Sequence, residues 1–162
     1  MDMMNINFKE QIFDLVFSSL AVDYVEDFSR LLQQVSAGLA EGWEFIFSCF
    51  HPVKWWGETI RKNWTNTFLL GYSKEWLSSG LCYGNYLKRR EIEDIIFDEL
   101  KIKYYYKPFS YILECILESD FEVKTFLEPV PIPEFKKKNP VFFDIHSKIP
   151  VFMVFKLVKK KK

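Results

Sequence analysis

The sequence predicts an α+β protein that opens with a helical hairpin, and three observations carry that expectation. Apolar residues recur at helical spacing over residues 6–21 and again over 22–42. Short runs rich in Ile, Phe and Val follow from Ser110 onward. Pro129, Pro131 and Pro133 then punctuate the chain where such a run ends. At 162 residues, with 49% hydrophobic and 27% charged side chains, the chain is long enough to bury a real core and is not wholly disordered.

The elements are expected in this order. Ile12, Phe13, Val16, Phe17 and Leu20 form the stripe of a first helix. Val25, Phe28, Leu31, Leu32, Val35 and Leu39 form the stripe of a second, which ends near Gly38 or Gly42. Residues 43–64 are aromatic and irregular. Trp55 and Trp56, flanked by Lys54, Arg61 and Lys62, can stack on bases or sugars, or fill a core gap or protein interface. Residues 91–106 read as a helix, with acids in the first half, Lys101 and Lys103 near the end, and Pro108 as the stop. Ser110–Glu118 and Phe121–Glu128 read as two strands of a hairpin turning at Ser119 and Asp120. Val141–Ile145 and Val151–Val158 read as two more, ahead of the tail Lys159–Lys162.

Charge is segregated behind a net value of zero. Residues 1–50 hold two bases and eight acids, and residues 51–90 hold seven bases and two acids. Residues 91–135 hold four bases and eleven acids, and residues 136–162 hold nine bases and one acid. Basic blocks attract phosphate backbones and acidic blocks repel them. The expected division is an acidic helical extension over 1–50 and a second region over 51–162 that ends in a Lys-rich tail. The aromatic fraction of 19%, set against few Ala and Gly, is the bias of an AT-rich coding genome.

Other classes are read out by what is missing. Cys49, Cys82 and Cys115 form no CxxC pair and have only His51 and His146 for company, so no metal or other cofactor is expected. Their odd number fits a reducing compartment. No P-loop, no GxGxxG and no nucleophile–base spacing occurs, so no enzyme is expected. The acidic start lacks the marks of a secretory or transit peptide, and no apolar run approaches the roughly 20 residues of a membrane span.

One string resembles a known family. Phe68, Leu70, Gly71, Lys74, Trp76 and Ser78 stand as in the N-terminal signature of the small-subunit ribosomal protein S3 family. The sequel, a helix at 91–106 and then SYILECILESDFEVKTFLEPVP, is similar to the opening α-β-β of the type II KH domain those proteins carry. The resemblance spans about residues 66–131. It departs in two respects: no glycine follows Gly84, so the GxxG loop that clamps a nucleic-acid backbone is absent, and Leu69 and Thr65 to Thr67 stand where the family has a basic residue and a proline around Phe68.

The resemblance implies a partial KH-like unit with further C-terminal strands, in a structural constituent of a mitochondrial small ribosomal subunit. Such a protein would be organelle-encoded, ribosome-bound in the matrix, and without catalytic activity. Its partners would be rRNA and neighbouring ribosomal proteins, including a separate chain that supplies the rest of the S3 protein. The expected RNA-binding residues are Lys54, Arg61, Lys62, Lys74, Trp76, Lys88, Arg89, Arg90, Lys136, Lys137 and Lys138. Three successive cations at Lys88–Arg90 suit phosphate contacts. The alternative is a viral or phage-encoded interaction module that binds no RNA.

Overall fold

Phe13–Ser19 is a strand, β1, and not the first arm of a helical hairpin. The computed structural model describes residues 3, 13–55, 72–73, 80–81, 86–96 and 99–161. After β1 the chain forms helix α1 (Phe28–Gly38), which leads directly into strand β2 (Leu39–Phe50). Strands β1 and β2 are parallel, joined by α1 as a β-α-β unit. The spacing that marked residues 12–20 as helical is also met by a strand that buries only Phe13 and Val16 against the core.

A short helix α2 (Pro52–Trp55) follows, then the two-residue strands β3 (Tyr72–Ser73) and β4 (Gly80–Leu81), which pair antiparallel. Residues 91–106 hold a β-hairpin, β5 (Arg90–Ile96) and β6 (Leu100–Tyr106), where a helix was expected. Alternation explains it: Glu91 and Glu93 flank Ile92, while Lys101 and Lys103 alternate with Ile102 and Tyr104. The Lys103 ammonium ties the hairpin by reaching Glu91 at 2.8 Å and Glu93 at 3.2 Å across the strands.

The expected strand at 110–118 is helix α3 (Phe109–Leu117), started by Pro108 and burying Ile112, Cys115 and Ile116. That i, i+3, i+4 set is a helical face within a short apolar run, which periodicity alone resolves poorly. Strand β7 (Phe121–Leu127) stands where a strand was expected, but it pairs with β8 (Phe152–Lys159) and not with residues 110–118. Residues 141–145 lie in helix α4 (Pro140–His146), capped by the Asn139 side chain accepting from the Phe142 N–H at 2.9 Å.

The main sheet therefore runs β1-β2-β8-β7, mixed, with β8 antiparallel to both neighbours. This is an α/β arrangement, which corrects both the helical hairpin and the KH-like α-β-β unit. Helices α1 and α3 pack on one face of the sheet. Their Phe28, Leu31, Leu32, Val35, Ile112 and Ile116 meet Phe45, Phe47, Met153, Phe155 and Leu157.

Local features tune the sheet. The β1–β2 register jumps between Phe13↔Leu39 and Leu15↔Glu44, and Gly42 supplies the positive φ of 80° in the skipped stretch. At the far end of β8, Lys159 is buried and is not part of a solvated tail. Its Nζ donates to the Ser36 oxygen at 2.6 Å and the Leu39 oxygen at 2.7 Å, satisfying carbonyls where α1 ends. Lys159→Met should lower unfolding stability by about 2–3 kcal/mol, because both carbonyls lose a charged donor. Urea titration checks this, with Lys161→Met as the neutral comparison. No helix among the described residues is long and apolar enough to cross a membrane.

Candidate functional site

In open α/β sheets ligands bind outside the carboxyl ends of the parallel strands, and this chain builds a recess at that place with a larger cleft adjoining it. At the end of β1, Leu20 adopts a left-handed φ of 51°, rare for a branched apolar residue. Its N–H donates to the Ser48 carbonyl at 3.0 Å and contacts the Ser48 hydroxyl oxygen at 3.1 Å. The turn that follows places Asp23 next to the end of β2, where its carboxylate accepts from the Phe50 N–H at 3.1 Å.

The cleft measures about 290 Å³ and is lined by Glu26, Arg89, Arg90, Glu91, Tyr105, Tyr106 and Lys107. A smaller recess behind it is lined by Asp23, Phe50, Pro52 and Ile112 and shares Tyr105, Tyr106 and Lys107 with the cleft. Strand β6 and the residue after it thus form the wall between the two spaces. Tyr106 ties the base of the β5–β6 hairpin to the residues that precede it, its hydroxyl donating to the Tyr86 carbonyl at 3.0 Å.

Aromatic rings position the cations. The Arg89 guanidinium lies 4.2 Å from the centre of the Tyr111 ring, and that of Arg90 lies 5.3 Å from the Tyr106 ring. Lys107 is buried, and its Nζ donates to the Tyr105 carbonyl at 3.2 Å. Burial pushes the Lys107 ammonium down to about 8, with the nearby Asp23 charge opposing the shift. Burial likewise pushes the Asp23 carboxyl up to about 6, against the Phe50 N–H and the Lys107 charge. The Cys49 thiol beneath them is pushed up by burial and by Asp23, which makes it inert as a nucleophile.

Lys103 draws Glu91 into its ion pair and holds that carboxyl below its ordinary value. Glu26 is then the other acid of the cleft, facing Arg89, Arg90 and Lys107. The cleft consequently carries an excess of positive charge. Elsewhere His51 is buried at the end of β2, with Nε2 2.8 Å from Glu128 and Nδ1 accepting from the Val53 N–H at 3.0 Å. Burial lowers the His51 pKa and the Glu128 contact opposes this. The pair clips the end of β2 to the end of β7.

The residues expected to bind RNA fall into three groups. Arg89 and Arg90 line the cleft, with Lys88 exposed beside them. Lys136, Lys137 and Lys138 are exposed on a separate 3-10 turn. Lys54 belongs to α2, while Arg61, Lys62, Lys74 and Trp76, with most of the 68–78 string, lie outside the described residues. Asp23, Tyr105 and Lys107 were not singled out from the sequence. The signal for Lys107 was its place at the end of an alternating run just before a proline. Among the described residues no group of three His, Cys, Asp or Glu converges to hold a metal.

By sequence the chain matches no protein-family model and no curated protein. Its structure does find counterparts. An S-adenosylmethionine-dependent methyltransferase from Listeria monocytogenes superposes with a TM-score of 0.76 at 20% identity, over 98% of this chain and 67% of that one. One from Mesorhizobium loti gives 0.69 at 20% identity with the same coverage. A third, from Methanosarcina mazei, gives 0.56 at 14% identity, over 100% of this chain and 66% of that one.

The chain shares the fold of these solved structures.

This overturns the ribosomal reading, since the solved structures it resembles carry neither the S3 nor the KH fold. The mitochondrial-ribosome assignment and the interaction-module alternative lose their support with it. The expectation of a non-enzyme is corrected too, because these neighbours are methyltransferases. The chain spans about two thirds of the length of the structures it matches best among these.

S-adenosylmethionine itself does not fit the described residues. A nucleoside cofactor calls for close backbone approach at a glycine-rich turn after a parallel strand, and for a carboxylate free to hold the ribose. Here the turn after β1 is Leu20-Ala21-Val22, and the turn after β2 is Phe50-His51-Pro52. Neither contains glycine. Asp23, a carboxylate beside both turns, is buried and engaged with the Phe50 N–H.

Proposed function

We propose that this chain is the acceptor-binding part of a methyl-transferring enzyme, and that its cleft takes a small molecule bearing a carboxylate or phosphate. The observation that carries the reading is the convergence of Arg89, Arg90 and Lys107 on one cleft, which shares Tyr105, Tyr106 and Lys107 with the recess at the carboxyl ends of β1 and β2. The fold supports it, since that end is where open α/β sheets take their ligands. The volume, about 290 Å³, suits a metabolite-sized acceptor.

Guanidinium groups pair with oxyanions through two parallel N–H donors, which gives orientation as well as affinity. The Tyr106 and Tyr111 rings lie against the Arg90 and Arg89 guanidinium groups. When an O–H or N–H acceptor is methylated it gives up one proton. Lys107 lines the same cleft, and with its ammonium at about 8 a useful fraction is neutral near physiological pH and can accept that proton.

Calorimetric titration with citrate and with inorganic phosphate at pH 7 tests the reading. Wild-type protein should bind one equivalent, and Arg89→Ala or Arg90→Ala should each weaken binding about tenfold, the worth of one charge-assisted contact. Lys136→Ala, on the separate turn, should leave the affinity unchanged. Equal affinity in wild type and both arginine variants would contradict the proposal.

A further inference from the structure

Alongside its cations the cleft carries one unspent carboxylate. Val25 is 1% exposed and anchors the chain after the turn that follows β1. Asp27 caps α1, its carboxylate accepting from the Arg30 N–H at 2.9 Å. Glu26 stands between these two anchors, exposed and lining the cleft. Among the described residues no hydrogen bond or ion pair holds its carboxylate.

The other acids near the cleft are engaged. Glu91 is drawn to Lys103 at 2.8 Å, with the Tyr105 hydroxyl also donating towards it. Asp23 accepts from the Phe50 N–H and Asp27 from the Arg30 N–H.

Tyr105 spans the charge distribution. The Lys107 Nζ lies 5.6 Å from the centre of its ring. Desolvation first, and then the charges of Glu26 and Glu91, raise the pKa of its hydroxyl, so both carboxylates act on that end of the side chain. Cations and unspent carboxylate thus share one cleft of about 290 Å³, small enough for a single metabolite to meet both.

An anion with no second group pairs with Arg89 and Arg90 but is repelled by Glu26. A cationic group on the same molecule turns that repulsion into attraction. We infer that the ligand of this cleft is a zwitterion, whose carboxylate or phosphate meets Arg89 and Arg90 and whose ammonium group, a few bonds away, meets Glu26. The inference rests on the anion-binding reading of the same cleft and makes Glu26 the residue that selects among anions. Arg89, Arg90 and Lys107 all repel an ammonium group, so a preference for one has Glu26 as its source.

The test is calorimetric titration at pH 7 with O-phosphoethanolamine and with ethyl phosphate, which differ by the ammonium group. Wild-type protein should bind O-phosphoethanolamine about fivefold more tightly, the size of an ion pair at a solvent-open site. Glu26→Gln should abolish or reverse that preference while binding ethyl phosphate at least as tightly as wild type does. Its melting temperature should be unchanged, because the side chain is exposed and makes no contact that holds the fold. Arg89→Ala should weaken both ligands together, about tenfold.

Equal affinity of the two ligands for wild type would overturn the inference. So would a preference that survives Glu26→Gln. If ethyl phosphate binds and Arg89→Ala weakens it, either result leaves the anion-binding reading standing. Failure of both phosphates to bind would overturn the two together.

Discussion

Phe155→Ala should lower the free energy of unfolding by about 3–5 kcal/mol, a large part of the 5–15 kcal/mol that holds a typical domain together. The residue is 1% exposed, in β8, which lies between β2 and β7. Its ring stacks on Phe47 at 5.1 Å and 17° and meets Phe126 at 4.8 Å and Phe109 at 6.3 Å. One truncation therefore loosens two strands and helix α3 at once, and the rigid ring neighbours leave a cavity that refills poorly. Urea denaturation followed by circular dichroism checks the loss. Phe155→Leu should recover more than half of it, as most of the volume returns.

Neutralising both Asp23 and Lys107 should cost less than removing either one, and should flatten the dependence of stability on pH. Asp23 titrates at about 6 in the fold against 3.8 as an ordinary carboxyl. Its raised value means the folded state disfavours the charge, so stability falls as pH rises from about 4 to about 6. Lys107 titrates at about 8 against 10.5, so stability falls as pH drops from 10.5 towards 8. Each shift amounts to about 3 kcal/mol. The contribution of the pair is therefore at its minimum between pH 6 and pH 8, where both groups are charged.

Lys107→Met leaves the Asp23 charge without its cation and should cost about 3 kcal/mol at pH 7. Asp23→Asn removes the acidic limb of the profile and leaves the alkaline one. The double variant Asp23→Asn with Lys107→Met should lie within about 1 kcal/mol of wild type at pH 7, with both limbs gone. Thermal melts of the four proteins from pH 4 to pH 10 read this directly. Additive losses would show that the two charges do not sense each other.

Legibility in the sequence followed the physics of each segment. The stripe Phe28, Leu31, Leu32 and Val35 is a long amphipathic repeat, and it is a buried helical face. Strands β7 and β8 carry alternating or continuous β-forming residues and stand where strands were expected. Ser110–Glu118 misled because Ile112, Cys115 and Ile116 fit a buried strand run as well as a helix face. Residues 91–106 misled because acids before lysines suit a helix dipole, although the same charges pair across a hairpin through Lys103.

Phe13–Ser19 shows the limit most clearly. Its spacing satisfies a helix, and only pairing with residues 39–48 makes it a strand. The family resemblance leaned on the 68–78 string and on an α-β-β succession, of which residues 91–106 and 110–118 exchanged secondary structure while Phe121–Leu127 is a strand. The site was half legible. The basic step at Lys88–Arg90 had been marked for phosphate contacts, and Arg89 and Arg90 do line the cleft. Asp23 and Lys107 are 84 positions apart and meet only through the fold, so no local pattern announces them.

The most direct test is an amide chemical-shift titration of the isotopically labelled chain with citrate. Perturbations concentrated at Arg89, Arg90, Tyr105, Tyr106 and Lys107, saturating at one equivalent, are the predicted result. Perturbations confined to Lys136–Lys138, or no saturable change at the carboxyl ends of β1 and β2, would contradict the assignment of that cleft as the acceptor site.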